Sequence, residues 1–177
     1  MKNKSLKRIK FINDIVKALK HPDIFDVINY ESLSESVIKT YIHPHLIREL
    51  THHYMEKSTI KHSTAEKKAH DSLLWEGDKR KIVNNITVFG VWHRPDMVIK
   101  TDDLSIAIEI KKGENGSAIR EGIGQAIIYS TCYDFVIYLF IDTGKEKYIL
   151  NSYGTEEKAN SITNALWREF NIILDIK

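Results

Sequence analysis

The run Asp134-Phe135-Val136-Ile137-Tyr138-Leu139-Phe140-Ile141 is apolar on both of its alternating faces. A strand of that kind has to be covered from two sides, which predicts a central strand in a sheet with further layers packed above and below it. Upstream, Ser105-Ile106-Ala107-Ile108-Glu109-Ile110-Lys111 alternates with a period of two, and Asn115 to Ser117 opens a helical pattern that runs to about Tyr129. Strand, helix and strand in that order imply a parallel pair joined by a right-handed crossover. The expected fold is α/β, a mixed sheet flanked by helices.

Before the Glu109 run stands Pro95-Asp96-Met97-Val98-Ile99-Lys100, with turn chemistry between them at Thr101-Asp102-Asp103. The two runs predict an antiparallel hairpin. With its isoleucine-rich faces on one side, Asp96 shares the other face with Glu109 and Lys111. On the helix, Ala118, Gly122, Gln125 and Tyr129 fall on one stripe beside Ile119, Ile123 and Ile127. Two carboxylates can hold a hard divalent cation, which acidifies a water and neutralises phosphate charge. A neighbouring ammonium stabilises developing negative charge or positions the water. The competing reading is a solvated hairpin face with cross-strand ion pairs, and for Gln125 and Tyr129 a satisfied buried amide and a core tyrosine.

As an ordered set, Pro95-Asp96, then Glu109-Ile110-Lys111 thirteen positions on, then Gln125-Ala126-Ile127-Ile128-Tyr129, resembles the PD-(D/E)xK nuclease superfamily. The likeness is to its restriction-endonuclease-like members of the RecB type and the type I restriction subunits, and it covers about residues 81 to 142. It implies Asp96, Glu109 and the carbonyl of Ile110 as ligands to Mg²⁺ or Mn²⁺, and Lys111 as the group that positions the water. It also implies that Gln125 and Tyr129 orient that lysine or a nucleic-acid backbone. Members often add an acid from a preceding helix, and Glu35, Glu49 and Glu66 all remain open for that role. The partner implied is nucleic acid, with DNA expected, and either a homodimer or a larger restriction or repair assembly is compatible with it.

The N-terminal part, residues 1–77, reads as mainly helical, and 78–177 as the α/β core of a single domain. In the first twenty residues Lys2, Lys4, Lys7, Arg8, Lys10, Lys17 and Lys20 face one acid, Asp14, on an amphipathic helix bearing Leu6, Ile9, Ile12, Ile15, Val16 and Leu19. A solvated polar face on a docked helix is favoured there over a phosphate-contacting arm. Residues 32–57 read as helical, with Pro44 marking a break or a second start. His45, Glu49, His52 and His53 could share a face of it, but their spacing matches no closed zinc-ligand set. Ser63 to Glu66 looks like a capping box for a helix to about Trp75, stopped by Gly77. Lys81 to Val91 is expected as the first strand, and Tyr148 to Leu150 as another short one. A last helix spans about Glu156 to Phe170, before an apolar run from Ile172 to Ile176.

A chain of 177 residues with 42% hydrophobic content can bury a real core, and a net charge of +2 neither requires nor excludes a polyanionic partner. The lone cysteine, Cys132, reads as packing and suits a reducing, cytoplasmic compartment. No apolar run has the length of a membrane span. Gly113 to Ser117 lacks the Lys-Ser/Thr of a phosphate-binding loop. The function expected is a metal-dependent nuclease, steered in part by the Lys79-Arg80-Lys81 run. The alternatives are a non-catalytic nucleic-acid-binding or assembly module on the same fold, and an RNase.

Overall fold

The computed structural model describes residues 5–26, 29–78 and 83–177. Lys2, Lys4 and the Lys79-Arg80-Lys81 run lie outside the described residues. A five-stranded mixed sheet is built from β1 (Leu73–Trp75), β4 (Met97–Lys100), β5 (Ser105–Gly113), β6 (Phe135–Asp142) and β7 (Ile172–Ile176), in the order β1-β4-β5-β6-β7. β1, β4 and β5 pair antiparallel, whereas β5, β6 and β7 run parallel. The long helix α5 (Gly116–Ser130) makes the crossover between β5 and β6, capped by Asn115 Oδ1, which accepts from Ser117 N at 3.0 Å. Every residue of β6 is buried, as its two apolar faces require.

One face of the sheet, with Met97, Ile99, Ile106, Ile108, Ile110, Ile137 and Leu139, packs on the N-terminal helices α1 (Leu6–Leu19), α2 (Pro22–Phe25), α3 (Glu35–Lys57) and α4 (His62–Ser72). The other, with Val98, Ala107, Val136, Tyr138 and Phe140, packs on α5 and on Leu166 of α7 (Glu157–Phe170). Asp134 stitches the parallel pair at its start, its Oδ2 accepting from both the N–H and the hydroxyl of Ser105 at 2.9 Å. α1 docks through Phe11, Ile12, Ile15 and Leu19. Three of its cations and the residue that caps it are engaged within the protein: Arg8 with the Asp103 carbonyl, Lys10 with Glu56, Lys17 with Asp14, and Lys20 with Asp175 at 2.6 Å.

Six local expectations differ from the structure. α3 runs unbroken through Pro44, because Ile38 and Ile42 on one side and Leu46, Ile47 and Leu50 on the other are buried along one apolar stripe that outweighs a missing hydrogen bond. α4 starts at His62 after Lys61, without a side-chain cap, and ends at Ser72. Leu73–Trp75 is a strand because the exposed edge of β4 needs hydrogen-bond partners. The described part of Lys81 to Val91 lies outside the main sheet, in a separate hairpin of β2 (Ile86–Val88) and β3 (Val91–His93). Phe89 and Gly90, at φ 53° and 75°, make the tight turn between them.

Tyr148–Ser152 is a short helix, α6, whose Leu150 N–H is taken by the buried carboxylate of Asp142 at 2.9 Å. Cys132 is exposed, since α5 ends at Ser130 and the chain turns outward there before β6. Among the described residues no helix is long and apolar enough to cross a membrane.

Candidate active site

Alternation along β5 sends Ile106, Ile108 and Ile110 into the helical N-terminal layer, and Ala107, Glu109 and Lys111 toward α5. The hairpin register pairs Met97 with Ile108, so Asp96, one residue before β4, stands opposite Glu109. Asp96 Oδ2 accepts from Ile110 N at 2.8 Å, which fixes the carboxylate at the edge of the strand. Lys111 Nζ lies 3.3 Å from Glu109 Oε1. The other oxygen, Glu109 Oε2, is buried and has no hydrogen-bond partner.

Only 2% of Glu109 is exposed, so its charge is poorly solvated. Burial and the negative charge of Asp96 push its carboxyl up to about 7, against the opposing pull of the Lys111 ammonium. Burial also works against the charge on Lys111, but Glu109, Glu35 and Asp96 surround it and raise its pKa above the ordinary value. Tyr129 is buried and close enough to Glu109 to feel its charge. Burial first, and then Glu109 and Asp96, push its phenol up, so it stays protonated and can donate. Gln125 stands one turn earlier on α5, with a buried Oε1 that lacks a partner.

The structure thus gathers Asp96, Glu109, Lys111 and Tyr129 into one electrostatically coupled cluster, with Gln125 on the adjoining helix turn. Among the three helical acids, Glu35 is the one that reaches it. Its Oε1 accepts from Lys112 N at 2.7 Å, and its charge acts on Lys111. Glu49 instead lines a cleft of about 700 Å³ beside α1, together with Lys10, Phe11 and His53. Glu66 lines a cavity beside His62 and His70. Neither cavity contains the carboxylate cluster, and the α1 cleft mixes cations with acids.

Two further residues of the cluster escape a local reading. Lys39 Nζ contacts Asp96 Oδ1 at 2.7 Å and also pairs with Glu76. Lys39 stands one helical turn after Glu35, next to the buried Ile38, and that placement of a cation against the core stripe is its only trace in the sequence.

The donors suit a hard cation. Carboxylate oxygens of Asp96 and Glu109 lie beside the Ile110 backbone, and an unpartnered buried carboxylate oxygen is the kind of atom a divalent ion would satisfy. Compared with protein-family models, curated proteins and solved structures, the chain gives no match.

Proposed function

We propose that this protein is a Mg²⁺- or Mn²⁺-dependent nuclease of the PD-(D/E)xK type, acting on DNA in a reducing, cytoplasmic compartment. The observation that carries the proposal is Glu109, a buried carboxylate with one unsatisfied oxygen, held beside Asp96 and Lys111 and faced by Tyr129. Asp96, Glu109 and the Ile110 carbonyl would hold the metal, which supplies charge neutralisation for a phosphodiester and an acidified water. Lys111 keeps its proton and places a positive charge where the attacked phosphate develops negative charge. Tyr129 offers a donor hydroxyl from α5, and Gln125 an unsatisfied amide oxygen one turn away. The single cysteine is the basis for the compartment.

One observation favours a second reading. Lys39 already neutralises Asp96, so the cluster could serve folding alone in a non-catalytic nucleic-acid-binding or assembly module.

The test is cleavage of labelled single-stranded, duplex and closed circular DNA, and of RNA of the same sequence, with Mg²⁺, Mn²⁺ or EDTA. Metal-dependent cutting that falls by about a hundredfold or more in Asp96→Asn and in Lys111→Ala, with folding intact, supports the nuclease. Preference for RNA would change the substrate and keep the chemistry. If the wild type cuts nothing, or both variants cut equally well, the nuclease reading fails. Nucleic-acid binding indifferent to EDTA would then favour the module.

A further inference from the structure

His21, Asp23 and His45 come from two stretches of the N-terminal layer. His21 precedes α2, Asp23 is the second residue of that helix, and His45 lies on α3. One donor atom from each falls within 4.8 Å of the other two. His21 Nδ1 and Asp23 Oδ2 are 3.3 Å apart. The two imidazole rings stack with centroids 4.1 Å apart and 22° between their planes. We propose that His21, Asp23 and His45 form a second cation site, for a borderline transition metal of the Zn²⁺ class, separate from the carboxylate cluster.

The ligand chemistry differs between the two places. Asp96 and Glu109 offer only hard oxygen donors, whereas two imidazoles and one carboxylate match the donors that Zn²⁺, Co²⁺ and Ni²⁺ take in preference to Mg²⁺. Bonds of about 2.0–2.1 Å in a tetrahedral site put neighbouring donors about 3.3 Å apart. The His21–Asp23 pair already has that spacing. The in-plane lone pairs of two stacked rings do not converge on one point, so closure turns the His45 ring out of the stack and swings the exposed Asp23 carboxylate inward, and a fourth position stays open to water.

Local structure holds the pair in place. Pro22 fixes the backbone between His21 and Asp23, and an ion at His21 Nδ1 would displace the hydrogen bond that this nitrogen accepts from the Asp23 N–H at 3.3 Å. His45 is not preorganised in the same way. Arg48 Nη2 stands 3.1 Å from His45 Nδ1, and a guanidinium can only donate, so that nitrogen presents a lone pair to it. Arg48 is exposed and can swing away. A metal ion would compete with it for the same electrons. A filled site would tie the α1–α2 corner to α3, the helix that also carries Glu35 and Lys39, and would stabilise the folded chain by linkage.

The experiment is titration of the EDTA-stripped, desalted 177-residue chain with Zn²⁺ by calorimetry and with Co²⁺ by visible absorption. It uses the wild type, His21→Ala, His45→Ala, Arg48→Ala and the double variant Asp96→Asn/Glu109→Gln. The expected result is one Zn²⁺ per chain, weakened by about tenfold or more in each histidine variant and unchanged in the carboxylate double variant. Arg48→Ala should bind more tightly, because a competing cation is gone. Thermal unfolding should rise with Zn²⁺ in the wild type and not in the histidine variants. The proposal is overturned if the wild type shows no saturable Zn²⁺ binding, or if the histidine variants bind as tightly as it does. It also fails if binding is lost only in the carboxylate variant, which would put the ion in the other cluster.

Discussion

Lys39 Nζ lies 2.7 Å from Asp96 Oδ1, although 57 positions of chain separate the two residues. The lysine side chain is 7% exposed and the aspartate 15%, with Glu76 completing the group. Burial opposes the charge on Lys39, but its hydrogen bonds to Asp96 and Glu76 outweigh that and hold its pKa above the ordinary value. Lys39 is therefore a buried positive charge set directly against the Asp96 carboxylate, beside Glu109. Removing it should leave a partly buried carboxylate uncompensated, at a cost of about 2–3 kcal/mol, below the figure for a fully buried pair. If a divalent cation also occupies this place, Mn²⁺ should restore part of the stability of Lys39→Met. Urea unfolding with EDTA or with Mn²⁺ checks this, and an equal Mn²⁺ effect on wild type and variant would remove Lys39 from the role of alternative counter-charge.

Glu35 is tied to the Lys112 N–H and acts on Lys111, whereas Glu49 and Glu66 line other surfaces. Cleavage by Glu35→Gln is expected to fall by about tenfold to a hundredfold. Glu49→Gln and Glu66→Gln should cut like the wild type. Parallel rate measurements on the three variants decide it, and equal losses would point to a common folding defect.

Two glycines on α5 should respond with opposite signs. A Cβ at Gly122 would overlap the buried Tyr138 ring, whose hydroxyl donates to the Ala118 carbonyl at 3.3 Å. Gly122→Ala should lose about 1–3 kcal/mol and push Gln125 and Tyr129 away from Glu109, with activity falling further than stability. A Cβ at Gly124 meets nothing within 4 Å. Gly124→Ala should gain about 0.5–1 kcal/mol from helix propensity alone. Chemical denaturation of both variants tests the contrast.

His53 packs its ring on Phe11, centroids 3.9 Å apart, and buries an Nε2 that has no hydrogen-bond partner. Burial lowers its pKa below 6.5, and the charges of Lys57 and Lys10 act in the same direction against Asp103 and Glu56. The unfolded chain then binds a proton that the folded one resists. The neutral ring's contribution is complete above about pH 6.5 and is lost as the pH falls from there toward the folded pKa. The drop in urea midpoint between about pH 7.5 and about pH 5.5 should be smaller in His53→Gln than in the wild type. Equal drops would assign the acid sensitivity to other groups.

Periodicity alone determined the centre of this protein. The two-residue alternation of 105–111, the doubly apolar 134–141 and the helical stripe between them lead to β5, α5 and β6, and they place Glu109, Lys111, Gln125 and Tyr129 on facing surfaces. These features follow from rules that act over two to four residues. Tertiary structure decided what no local period carries. Leu73–Trp75 became a strand to satisfy the edge of β4, and α3 continued through Pro44 because its stripe is buried on both sides. Lys39 and Glu76 met Asp96, Glu35 was selected over Glu49 and Glu66, and His45 joined His21 and Asp23 instead of Glu49, His52 and His53. The path of α3 depends on apolar burial, and each of the other outcomes on neutralising charge or pairing polar groups between distant positions in a medium of low dielectric; both requirements exist only once the layers have packed.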